Sequence, residues 1–210
     1  MIEGEAQARE YVGKFTTDEG LARLDRLAAA LSAENESQNL VSKASLAQVW
    51  VRHFADSAQL LEHVPRETHG PWLDLGSGAG FPGLVLAALR PDTKVILIES
   101  RKLRIDWLST MKAELGLTNC VIEGQKLQNV EACEAGIISA RAFAPLATLL
   151  RLSARFSTAR THWVLPKGRS AAQEVRELPK SDRQMFHVEQ SLTDADAGIV
   201  VGKGKVREKA

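Results

Sequence analysis

The stretch Asp74-Leu75-Gly76-Ser77-Gly78-Ala79-Gly80-Phe81-Pro82-Gly83 follows the apolar Trp72 and Leu73 and leads into Leu84-Val85-Leu86. It reads as a turn from a strand into a helix. Such a turn needs positive φ and no side chain where a ligand approaches, which Gly76, Gly78 and Gly80 allow. Pro82 suits the first helical position, where no amide hydrogen is missed.

Outward from the turn, short apolar runs alternate with helical segments. Strands are expected at Trp72 to Leu75, Val95 to Glu99, Cys120 to Glu123, Gly136 to Ala140 and His162 to Leu165. Helices are expected at Pro82 to Leu89, Lys102 to Leu115 and Leu146 to Arg155. That alternation predicts an α/β, Rossmann-like, mostly parallel and doubly wound sheet over residues 71–210. Gln184 to Gln190 and Gly198 to Val201 would add antiparallel edge strands, since no helix fits between them. Residues 1–70 read instead as an N-terminal helical extension. Leu21, Leu24, Leu27, Ala28 and Leu31 recur at helical spacing, and a second helix carries Leu46, Val49, Trp50, Phe54, Leu60 and Leu61 behind a Ser45 cap. The polar Asn35 to Asn39 between them is expected to be a loop or a frayed helix end.

Gly78 to Gly83 also spells the dinucleotide fingerprint G-x-G-x-x-G. Asp74 argues against a dinucleotide, because a carboxylate beside the turn repels a pyrophosphate but favours a cofactor carrying an ammonium and a sulfonium. S-adenosylmethionine is such a cofactor. Glu99, at the end of the next strand, is placed to accept hydrogen bonds from ribose hydroxyls in either cofactor class. A second reading keeps Asp74 as a capping or turn carboxylate.

The acceptor is read partly from missing motifs. No Asp/Asn-Pro-Pro-aromatic tetrapeptide, which would orient an exocyclic amine, follows the fourth strand, and neither Cys120 nor Cys133 follows a proline to supply a pyrimidine-attacking thiolate. A ring nitrogen such as guanine N7 has an exposed lone pair and needs orientation more than a base. Arg141, after the fourth strand, is expected at the carboxyl edge of the sheet, touching cofactor or phosphate, or else pairing with a carboxylate. Lys167 and Arg169 repeat that placement after the fifth strand and are candidates to grip a nucleic-acid backbone. Arg52, His53 and Asp56 form a polar cluster on the second helix, with Arg52 to Asp56 at ion-pair spacing. It reads as a structural network, or as an acid/base pair in which Asp56 fixes the tautomer of His53.

Composition sets wider bounds. With 210 residues, 44% hydrophobic and 25% charged, the chain supports one α/β domain with an extension. No run reaches the length of a membrane span, and the acidic first twenty residues do not suit a signal peptide, so a cytoplasmic protein without membrane contact is expected. Neither a metal site nor a disulfide framework is indicated by the two separated cysteines. Residues 141–210 hold 13 basic against 7 acidic side chains, whereas residues 1–70 hold 7 against 11. That gradient suits an anionic partner.

With these residues in hand, the chain resembles the bacterial small-subunit ribosomal RNA guanine-N7 methyltransferases, the glucose-inhibited division protein B family. The matching elements run in order: Asn35 to Ser42, Arg52-His53-Phe54-Ala55-Asp56-Ser57, the Asp74 to Gly83 turn, Glu99-Ser100 with Lys102, Ser139 to Leu146, and Lys167-Gly168. The resemblance implies a class I S-adenosylmethionine-dependent methyltransferase fold and N7 methylation of one guanine in the decoding region of 16S rRNA, on free RNA or the small ribosomal subunit; a monomer is expected, though the residues leave the oligomeric state open. It carries cofactor contacts to Gly76, Phe81, Leu127, Gln128 and Arg141, beside Asp74 and Gly78 from the turn itself and Glu99 at the end of the next strand. Gln128 departs from the family's usual glutamate, though an amide carbonyl still accepts a hydrogen bond from an adenine amino group. RNA contact then rests on Arg141, Lys167, Arg169, Lys203 and Lys205, and the catalytic candidates are His53, Asp56, Arg141 and Lys167. Three alternatives stay open at this level: a small-molecule methyltransferase, a non-catalytic ribosome-assembly module, and an NAD-dependent oxidoreductase.

Overall fold

The computed structural model describes residues 1–207. Seven strands form one sheet in the order β3-β2-β1-β4-β5-β7-β6. β1 (Trp72–Leu75), β2 (Val95–Ile98), β3 (Cys120–Glu123), β4 (Ile137–Ser139) and β5 (His162–Lys167) run parallel. β7 (Gly198–Lys203) lies antiparallel between β5 and β6 (Phe186–Gln190). The few residues between β6 and β7 permit only a hairpin return, as expected from the sequence. Chain order reverses between β1 and β4, the place where doubly wound sheets open a ligand crevice.

Side chains alternate faces along the strands, so each strand feeds two cores. Trp72, Val95 and Leu97 pack with α5 (Gly83–Leu89), α6 (Lys102–Glu114) and the N-terminal helices. Leu73, Leu75, Ile96 and Ile98 pack on the opposite face with α7 (Leu146–Ser153) and α8 (Ala171–Glu177). The helices of the first 64 residues are therefore one layer of the same core. α9 (Lys180–Arg183) is a single short turn ahead of β6.

Several N-terminal elements differ from expectation. α1 (Glu5–Gly13) falls in the stretch expected to be helical but was not singled out as an element, and α8 was not foreseen, because each buries only two or three side chains and carries too weak a periodicity to read. α2 (Asp18–Glu34) is longer than its leucine stripe suggests and is capped by Thr17, whose side chain accepts from the Gly20 amide. The expected Ser45 cap is corrected: Ser42 caps α3 (Lys43–Leu46), and its hydroxyl accepts from the Ser45 amide. The second helix is not continuous either. It passes from α3 into a π-helical turn at Trp50–Ala55, then α4 (Asp56–Ala58), then a 3-10 turn at Gln59–His63. The Glu5 carboxylate accepts from the amides of Trp50 and Val51 at 3.1 and 3.0 Å, satisfying donors at the start of the π turn. The Asn35 to Asn39 loop is closed by its own first residue, whose Oδ1 accepts from Leu40 and Val41 at 2.8 and 2.9 Å.

Candidate active site

Between Trp72 and Leu89 every residue is buried except Gly76 and Gly78. The turn thus reaches the surface only through glycine backbone, with Gly78 open and Gly76 partly covered by the Phe143 ring. Gly76, Gly78 and Gly80 have φ of 67, 58 and 99°, the left-handed region the sequence anticipated. A Cβ at Gly78 would meet nothing closer than 3.8 Å, so that residue is glycine for its backbone angle and opens onto free space.

Two acids brace this floor from beneath. Asp74 is fully buried; its carboxylate accepts from Ser139 Oγ at 3.0 Å and from the Gly83 amide at 3.1 Å. Gly83 is glycine for that reason, since a Cβ there would sit 2.7 Å from Asp74 Oδ2. Burial raises the Asp74 pKa to about 6, against the pull of its hydrogen bonds and of Arg141. Asp74 therefore does not face the groove directly; it matches the second reading, a carboxylate buried beneath the turn that holds Gly83 and Ser139. Glu99 accepts from the Gly78, Ser100 and Arg101 amides at 3.0, 2.7 and 2.9 Å. Burial would raise its pKa, but the amides of Arg101 and Ser100, with Gly78 beside them, outweigh it and hold the carboxyl ionised below the usual range. Leu127 is packed into the core and offers a ligand only its backbone, whereas Gln128 is exposed on the same turn after β3.

Beside the groove, β4 and β5 end at a cavity of about 500 Å³. Its wall includes Arg52, Asp56, Arg141, Phe143, Lys167 and Asp194. The cations around it are matched by carboxylates: Arg141 to Asp56 at 3.3 Å, Arg52 to Asp194 at 3.0 Å, Lys167 to Glu174 at 2.9 Å, and Arg169 to Asp196 at 2.6 Å. Three expectations change here. Arg52 pairs with Asp194 rather than with Asp56, because the π turn displaces the i,i+4 register. Lys167 is held by Glu174 and the Ala144 carbonyl, so it ties the end of β5 to the α7 entrance instead of presenting a free cation. Lys203 pairs with His162 at the opposite end of β5 from Lys167, five residues or roughly 17 Å away at strand rise, with Lys205 just beyond it. These two lysines do not share an edge with Arg141 and Arg169; Lys203 instead lines a separate cavity of about 370 Å³ with Arg160 and His162.

Arg141 is the hub that joins turn, π segment and cavity. It donates to the Arg52 carbonyl at 3.2 Å and to His53 Nδ1 at 3.1 Å, and it stacks over Phe81 at 5.2 Å. His53 lies flat on Phe81 with ring centroids 4.5 Å apart. Because arginine only donates, Nδ1 must accept, and the His53 proton sits on the buried, unpartnered Nε2. Burial, Arg141 and Arg52 push its pKa down to about 3. His53 is therefore a neutral spacer, and its tautomer is set by Arg141, not by Asp56, whose carboxylate is occupied by Arg141, Gln59 and Thr193. An acid/base role for the His53 and Asp56 pair is not supported. Ser139, Phe143, Glu174 and Asp194 were not singled out from sequence. The first two lay inside the Ser139 to Leu146 element, but nothing in the spacing points to Glu174 or Asp194.

The family of rRNA small subunit methyltransferase G, GidB, matches residues 21–198. A ribosomal RNA small subunit methyltransferase G of Erythrobacter litoralis (strain HTCC2594) is 59% identical over 99% of this chain and 100% of its own length. The chain belongs to the rRNA small subunit methyltransferase G family. Another family member, from Novosphingobium aromaticivorans, is 52% identical over 96% of this chain and 87% of its own. The family resemblance drawn from the motifs is thus borne out. Among solved structures, an S-adenosylmethionine-dependent methyltransferase from Aquifex aeolicus superposes with a TM-score of 0.59 at 15% identity, over 82% of this chain and 98% of that one. It shows the same fold, which is the one expected from the alternating strands and helices. Among the described residues no cluster of metal-ligating side chains occurs, and no helix is long and apolar enough to cross a membrane.

Proposed function

We propose that this chain transfers a methyl group from S-adenosylmethionine to N7 of a guanine in 16S rRNA, acting as a cytoplasmic monomer on the RNA or the small subunit. The observation that carries this reading, beside family membership, is the glycine turn, open at Gly78 and walled by Phe143 at Gly76, braced by two acids and lying next to the cavity at the ends of β4 and β5. The groove fits the cofactor chemically. Backbone without side chains admits close approach, and ionised Glu99 with buried Asp74 beneath favours a ligand carrying positive charge and no phosphate. Gly76, Gly78, Glu99, Phe81, Arg141 and the Leu127-Gln128 backbone would hold it.

When bound, the cofactor supplies an electrophilic methyl group on a sulfonium. Guanine N7 has a free lone pair, so no proton needs to be removed, in keeping with a His53 that is neutral, buried and bonded to Arg141. The chain's own part is orientation and exclusion of water. N7 methylation leaves a positive charge on the base, and because Arg141, Arg52 and Lys167 around the cavity are paired with Asp56, Asp194 and Glu174, no unpaired cation of that wall would oppose it. Arg141 and exposed Arg169 lie on the edge an RNA backbone would cross.

The test is methyl transfer to purified 16S rRNA and small subunits, with the product mapped by N7-specific cleavage. One new N7-methylguanine is expected, and its absence from the rRNA of cells lacking this protein. An unchanged modification pattern in those cells would refute the substrate. Activity that is indifferent to ionic strength would point to a neutral small acceptor, since RNA contacts release counterions.

A further inference from the structure

Phe143 occupies a position that neither the glycine turn nor the ion pairs explain. It is a half-buried aromatic side chain in the loop after β4, and it forms part of the cavity wall beside Arg141 and Pro145. Its ring also lies directly against Gly76, so close that a Cβ on Gly76 would overlap it. The ring is therefore the partition between the groove floor and the cavity. The backbone that aims it is unusual: Ala142, just before it, has φ of 53°, and among the described residues it is the one non-glycine with positive φ. An alanine in that region is strained, a conformation that persists only where the surroundings over-determine it. The strained loop is anchored on both sides, by Arg141 through the His53 and Asp56 contacts, and by Lys167 through the Ala144 carbonyl.

We propose that the cavity receives the acceptor guanine and that Phe143 is its stacking wall, a positioning residue that holds the base plane against the cofactor groove. The inference rests on the rRNA methyltransferase reading above. Stacking suits this reaction because a base with no proton to lose depends on orientation alone, and every base offers a π face to an aromatic ring. The cations on the same wall are each paired with a carboxylate, Arg141 with Asp56 and Arg52 with Asp194, so the cavity beside Phe143 suits an uncharged base better than a bare phosphate.

The experiment compares wild type with Phe143→Leu and Phe143→Trp in three measurements: melting temperature, S-adenosylmethionine affinity by calorimetry, and kcat/KM for methylation of 16S rRNA. Leucine fills apolar space but cannot stack, and tryptophan stacks. We expect Phe143→Leu to lose about tenfold or more in kcat/KM, within the range of base–aromatic stacking, with cofactor affinity changed less than about twofold. Phe143→Trp should stay within about threefold of wild type. Full activity in Phe143→Leu, or equal loss in both variants, would overturn the stacking role. Loss of cofactor affinity in step with turnover would assign Phe143 to the groove instead and overturn it too. Absence of rRNA methylation by the wild type would instead refute the function on which the inference rests, and is read before either variant is assayed.

Discussion

His53 shows how far one side chain can depart from its free behaviour. Its folded pKa is pushed down to about 3 from the ordinary 6.5 by burial first and by Arg141 and Arg52 after it. The unfolded chain binds a proton there below pH 6.5 and the folded chain does not until about pH 3, so stability falls as pH drops across that window. At pH 5 the cost is on the order of 2 kcal/mol. Asp74 runs the other way: its raised pKa, about 6, means that the folded state takes up its proton first, adding stability that is lost again as pH rises through 6. Comparing wild type with His53→Phe isolates the histidine, because Asp74 is common to both. The variant should lose clearly less stability between pH 7.5 and pH 5; an identical loss in both proteins would show that His53 is not buried neutral. At Gly83 the expectation is steric. Gly83→Ala places a Cβ 2.7 Å from Asp74 Oδ2 and 2.8 Å from Leu97, and should cost about 1 to 3 kcal/mol in urea unfolding. An unchanged midpoint would mean that Asp74 does not cap α5 as described.

At the scale of elements, the π-helical turn at Trp50–Ala55 carries two of the side chains that matter, Arg52 and His53. Its start is capped from 45 residues away by Glu5. Glu5→Ala should lower stability by about 0.5 to 2 kcal/mol, the range for losing a capping side chain. Hydrogen exchange at the Trp50 and Val51 amides should accelerate with it, and unchanged protection there would remove Glu5 from that role. Ser139 performs a similar office inside the sheet, accepting from Trp72 Nε1 at 2.9 Å while donating to Asp74 at 3.0 Å. Such long-range partners explain what the sequence concealed. Helical periodicity announced the second helix, but the break into π and 3-10 turns depends on a carboxylate in α1, an element whose own periodicity is too slight to see.

For the whole molecule, the sheet distributes charge in a way linear counting misses. The basic final third of the chain looked like one RNA surface, yet antiparallel β7 carries Lys203 back to the opposite edge from Arg169. Arg169→Ala should flatten the salt dependence of rRNA binding by about one phosphate contact. Lys203→Ala should leave affinity within about twofold at the same salt. Filter binding across a salt series measures both, and a larger effect of Lys203 would mean that the RNA wraps to the far edge.

By itself the sequence determined the parallel sheet, the glycine turn and the family, because these depend on local properties: period-two and period-3.6 apolar patterns, positive φ at glycine, and motifs in fixed order. It also located Glu99 and Arg141, which follow strands and so fall at the carboxyl edge. Only the tertiary structure decided what those side chains do. It spent Asp74 on Gly83 and Ser139, exchanged the partners of Arg52 and Asp56, fastened Lys167 to Glu174, and set Phe143 on Gly76. Each of those outcomes depends on groups distant in the chain competing for the same charge or the same space, and no spacing rule within the chain records who wins.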